Sequence, residues 1–136
     1  MKRVLVFSLI WLCATTAEAV DPPGRRITID QAEALVMASL TPQQRRLPKV
    51  EADAFAPPNP SRFLFFTVTW EGTPNGSVVV GNYAVDPYTG DVFSSTMSCY
   101  EEKNKRLTAL QTRIRAQLHL ARPEYKRLKT KGPLCE

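Results

Sequence analysis

Two cysteines, one histidine and a run of bases near the C-terminus are the residues of this 136-residue chain best suited to specific chemistry. Cys99 and Cys135 stand 36 positions apart, and His119 is the one histidine. A thiolate nucleophile would need His119 as its base. In an oxidising compartment two such thiols are more often bonded to each other. A structural zinc site needs closely spaced ligands, which two distant cysteines and one histidine do not supply. A serine hydrolase would again depend on His119, which sits between Leu118 and Leu120 in a helical pattern, away from any positioned serine. Asp86 and Asp91 flank a turn, where carboxylates serve mainly to cap backbone amides. The Thr-Gly and Gly-Asp pairs lack the glycine density of a phosphate loop. The expectation is a protein that is not an enzyme, with no catalytic residue, no cofactor and no metal.

Association is the chemistry that remains. The last 36 residues hold ten bases against four acids, whereas the whole chain has a formal net charge of +5. Lys103, Lys105, Arg106, Arg113, Arg115, Lys126, Arg127, Lys129 and Lys131 are the candidate partner-binding residues. A cationic surface of this kind attracts an acidic protein, an anionic lipid headgroup or an anionic envelope polymer. Tyr100 and Tyr125 beside these bases also suit nucleic acid, but the N-terminus argues against that partner. Met1-Lys2-Arg3 is a basic n-region, Val4 to Cys13 is an apolar run of ten residues, and Ala17-Glu18-Ala19 has the form of a cleavage site. Such a run falls short of the roughly 20 residues that span a bilayer. Trp11-Leu12 before Cys13 is too bulky for a lipidation signal. The sequence therefore predicts a signal peptide over 1–19, cleaved near Ala19, and a periplasmic or secreted product. Removal of Lys2, Arg3 and Glu18 leaves a net charge of +4 and two cysteines, Cys99 and Cys135, as disulfide partners.

The elements that must position these residues follow from periodicity. Thr28 with Gln31, or Asp30 with Glu33, forms a capping box ahead of a stripe of Ala32, Leu35, Val36, Ser39 and Leu40, so a helix starts here and ends at Thr41-Pro42. Residues 43–60 are a proline-rich connector in which 49–55 could add a short edge strand. Arg62 to Glu71 is a strand by its aromatic and β-branched content, with Leu64, Phe66, Val68 and Trp70 on the core face. Asn75-Gly76 turns the chain into an antiparallel strand over 77–86, with a bulge expected at Gly81. The Asp86–Asp91 turn, with Gly90 in the left-handed conformation, leads to a third strand over 92–96. Leu107, Leu110, Ile114 and Leu118 mark a second helix over 101–121, which Pro123 stops. The fold class is α+β: an antiparallel three- to four-stranded meander against an N-terminal and a C-terminal helix, in a single domain over 20–136.

Ile27-Thr-Ile-Asp-Gln-Ala-Glu-Ala, a following strand and Tyr83-Ala-Val-Asp-Pro-Tyr-Thr-Gly-Asp-Val92 together resemble the PepSY-type module, a small cystatin-like secreted domain, over residues 27–96. The resemblance implies export and an inhibitory, chaperone-like or accessory role. The leading expectation is a noncatalytic periplasmic or secreted binding protein, such as an inhibitor or immunity protein that blocks an enzyme. The alternative is an envelope accessory or structural protein that binds anionic lipid or cell-wall polymer through its basic C-terminal surface. Salt separates the two, because exposed charge is screened whereas an apolar interface is not.

Overall fold

The computed structural model describes residues 26–73, 76, 78–94 and 100–133. Residues 1–19, expected to be a signal peptide, Asn75 of the expected turn, and Cys99 and Cys135, the expected disulfide partners, lie outside them. Helix α1 (Ile29–Ser39) uses the first of the two capping boxes. The Gln31 amide donates to Thr28 Oγ1 at 3.2 Å, and the Thr28 amide donates to Gln31 Oε1 at 2.9 Å. Its buried stripe is Ala32, Leu35, Val36, Ala38 and Ser39.

Five strands follow: β1 (Glu51–Phe55), β2 (Leu64–Thr69), β3 (Val79–Val85), β4 (Val92–Ser94) and β5 (Tyr100–Glu101). They pair antiparallel in chain order, a pure meander. The register joins Ala52 to Val68, Phe66 to Tyr83 and Val85 to Val92, which places these residues on the face beneath α1. Leu35, Val36, Phe66, Val68, Val85 and Val92 form the centre of the core there, each at most 1% exposed. A register shift between Val68 and Thr69 leaves Val80 as the additional residue beside Gly81.

The opposite sheet face carries Phe55, Phe65, Ala84 and Phe93 by the same register. Phe63 meets Phe93 edge-on with centroids 5.9 Å apart, and Phe55 meets Phe65 at 5.8 Å. The C-terminal tail covers the first pair: Gly132 lies so close to Phe93 that a Cβ would stand 2.8 Å from its ring.

The sheet is wider than the expected three or four strands, and the second helix is shorter than expected. Glu101, assigned from sequence to the start of that helix, belongs to β5. Helix α2 (Lys105–Gln117) starts behind Asn104, whose side chain accepts from the Leu107 amide at 2.9 Å and donates to the Ala38 and Ser39 carbonyls at 3.1 and 3.0 Å. One asparagine thus caps α2 and fastens its start to the end of α1. His119, with φ of 51°, ends the second helix. Pro123 does not close the helical region. It opens helix α3 (Arg122–Leu128), because its missing N–H is harmless in a first turn.

Candidate protein-binding surface

The turn between β3 and β4 organises the basic helices. Residues 86–91 are all buried, an unusual condition for a turn. The Gly90 amide closes it onto the Asp86 carbonyl at 2.8 Å, with Gly90 at φ 68°. Asp86 Oδ1 accepts from the Tyr88 amide at 2.9 Å, the backbone-capping role expected of it. Both turn carboxylates also meet arginines. Arg62 approaches Asp86 in a fork, Nε to Oδ1 at 3.3 Å and Nη2 to Oδ2 at 2.6 Å, and Nη2 also reaches the Leu128 carbonyl at 2.9 Å. Arg115 Nη2 donates to Asp91 Oδ1 at 2.7 Å while its Nε donates to the Thr89 carbonyl at 2.7 Å. Gln111 donates to the Gly90 carbonyl at 2.9 Å. The Tyr125 hydroxyl donates to Asp91 at 3.0 Å and accepts from Lys129 at 3.0 Å. Its ring carries the Arg115 guanidinium 4.3 Å from the centroid.

Burial raises the Asp91 carboxyl above its ordinary value, against the opposing pull of Arg115 and Lys129. Burial alone would lower Lys129, but hydrogen bonds with Tyr125 and Glu101 and the charge of Asp91 hold its ammonium above the usual lysine range. These charges therefore hold α2 and α3 onto the sheet.

The nine candidate bases consequently divide. Arg115 and Lys129 are engaged inside the molecule. Lys103 stands 3.5 Å from Glu101 at the surface, a weak pair. Lys105, Arg106, Arg113, Lys126, Arg127 and Lys131 are exposed, with no ion pair among the described residues. Arg106 and Arg113 alone of these six border a depression between α1 and α2. Its volume is about 510 Å³ and its floor is Ala34, Met37, Ala38, Ala109 and Leu110. A second hollow of about 410 Å³ shares Ala34, Leu110 and Arg113 and extends to Asp30, Gln31 and Gln117. Among the described residues no three His, Cys, Asp or Glu side chains are grouped to hold a metal, and no helix is long and apolar enough to cross a membrane.

Arg62, Gln111 and Tyr125 are structural partners that the sequence reading missed. A signal existed in Tyr88: a solvent-facing turn has no use for an aromatic at its centre. In the fold Tyr88 is 8% exposed, with the guanidinium carbons of Arg26 and Arg62 5.0 and 4.9 Å from its ring centroid.

No family model and no curated protein matches the chain. A solved chain from a structure described as a type VI secretion system effector-immunity complex from Pseudomonas protegens is similar, with a TM-score of 0.57 and 26% identity, over 76% of this chain and 86% of that one.

Proposed function

We propose that this chain is a noncatalytic binding protein that neutralises an enzyme, in the manner of an immunity protein directed at a secreted effector. The observation that carries this reading is the similarity to a chain of an effector-immunity complex, which extends over 86% of that chain. A rigid sheet with its helices locked by buried ion pairs supports it, because a preordered surface loses little entropy on binding. The reading includes export: Met1-Lys2-Arg3, the apolar run to Cys13 and Ala17-Glu18-Ala19 direct the chain to the periplasm or beyond, with Cys99 and Cys135 bonded there. It also assigns the PepSY-like phrase over 83–92 a scaffolding role, since that turn is where the helices attach.

The test is capture of partners from an envelope extract on tagged protein with high-salt washing, followed by expression of the captured protein in a susceptible host. The expected result is growth arrest by the captured protein alone and recovery on co-expression with this chain. Growth arrest without recovery would overturn the reading. Six exposed bases with no ion pair among the described residues favour a second reading, an accessory protein held on anionic lipid or cell-wall polymer. In that case only lipid or polymer is retained, and it is released as ionic strength rises.

A further inference from the structure

We infer that the groove between α1 and α2 is the docking site for an acidic amphipathic helix of the partner. This deepens the binding-protein reading and rests on it for the partner's being a protein. Asn104 joins the start of α2 to the end of α1, and Gln31 donates to Gln117 at 3.4 Å where α1 starts and α2 ends. The two helices are therefore antiparallel and leave a continuous trough between them. Its floor is built for close approach. Ala34 and Ala109 offer no bulk, while Met37 and Leu110 pack partly into the core and present the rest of their apolar surface to the trough.

The charges specify the occupant. Arg106 and Arg113 lie seven residues apart on α2, about 10 Å along its axis, and neither forms an ion pair among the described residues. Guanidinium groups bind carboxylates through paired, parallel hydrogen bonds, which an aliphatic floor between them strengthens by excluding water. A helix with acids seven positions apart and leucines between them presents the complementary pattern. Asp30 lines the second hollow together with Arg113, whereas the first hollow holds both arginines and no acid, so the occupant's carboxylates face the first hollow. Lys126 and Arg127 on α3 are equally cationic, but neither borders this trough.

The probe is a synthetic alanine-rich helical peptide with two glutamates seven residues apart and leucines between them, titrated into the isotopically labelled protein while backbone amide resonances are followed. Expected are shifts at Ala34, Met37, Ala109 and Leu110. Affinity should fall at least about tenfold in the Arg106→Glu/Arg113→Glu variant and about twofold or less in Lys126→Glu/Arg127→Glu, as screened charge at a distance would give. Ala109→Trp fills the trough without altering charge and should abolish the shifts, and the amide spectrum itself reports that each variant is folded. Shifts centred on α3 or the tail, equal loss in the two charge-reversal variants, persistence in Ala109→Trp, or no shifts at all would overturn the proposal. Recovery of growth without peptide binding removes the groove and leaves the binding-protein reading. Peptide binding without recovery does the reverse.

Discussion

Arg113 and Arg115 are two residues apart on one helix and have opposite fates. Residues at that spacing point to different faces of a helix. Arg115 turns toward the sheet, donates to Asp91 at 2.7 Å and keeps 22% of its side chain exposed. Arg113 turns away, lines the trough between α1 and α2, and forms no ion pair among the described residues. Charge counted from sequence therefore merges two quantities, charge committed to holding the fold and charge left for another molecule. The first is set by whatever lies beneath the helix, here a buried turn with two carboxylates.

The inward side is tested by Asp91→Ala, the substitution with the largest expected effect. It leaves the Arg115 guanidinium and the Tyr125 hydroxyl without their shared acceptor in a largely buried setting. Removing one partner of a buried pair costs about 3–5 kcal/mol, and the partial exposure of Arg115 favours the lower end. Denaturant unfolding should show a loss of about 3 kcal/mol, and the melting temperature should fall by on the order of 10–20 °C. A loss under about 1 kcal/mol would mean that the turn does not clamp the helices.

Gly132→Ala should come next. Gly132 has φ of 105°, and an added Cβ would stand 2.8 Å from the Phe93 ring, whose residue is 1% exposed. Conformational strain and overpacking together should cost about 1–3 kcal/mol. Gly90→Ala provides the contrast within the clamp. Its φ of 68° is similarly unfavourable, but the nearest atom, Leu35 Cδ1, would be at an ordinary 3.4 Å, so only the conformational cost of about 1 kcal/mol remains. Equal losses would show that the tail yields to the added methyl and does not press on Phe93.

The meander was legible because its signals are local. Thr28 and Gln31 mark a helix start within four residues, and alternation along Leu64, Phe66 and Val68 selects one sheet face. What was not legible depends on partners far along the chain. Arg62 and Asp86 are separated by 24 positions, as are Asp91 and Arg115, and no local pattern links them. Boundaries suffered for a related reason. Glu101 pairs with Phe93 in β5 only because β4 is already in place, and Pro123 reads equally well as a stop or as a start. The candidate surface was legible as a charge run, but its division into bound and free bases required the three-dimensional arrangement.

A smaller effect comes from pH. Burial raises the carboxyls of Asp91 and Glu102 above their ordinary values. Between the unfolded and the raised folded value, the folded state holds more protons than the unfolded one, so stability declines as pH rises through that window and is recovered as pH falls back through it. Unfolding free energy should accordingly rise on mild acidification from neutrality, before other carboxylates are titrated. Glu102→Gln should flatten this slope without touching the clamp, since burial is the cause of its shift. An unchanged slope in that variant would assign the whole effect to Asp91.

The smallest effect belongs to the outward side. Arg113→Ala removes a charge that has no intramolecular partner among the described residues, from an exposed helical position where alanine and arginine have nearly equal propensity. Unfolding free energy should stay within about 0.5 kcal/mol of the parent protein. Arg115→Ala, by contrast, strips Asp91 of its nearest cation and leaves the Thr89 carbonyl without its side-chain donor, so it should cost several times as much. The comparison is sharpest when both variants are also titrated with the acidic helical peptide. Arg113→Ala should lose peptide affinity at parental stability, and Arg115→Ala should lose stability while its folded fraction keeps the affinity. Destabilisation by Arg113→Ala of more than about 1 kcal/mol would place this arginine in the fold's own electrostatics, and the distinction between the two faces of α2 would then fail.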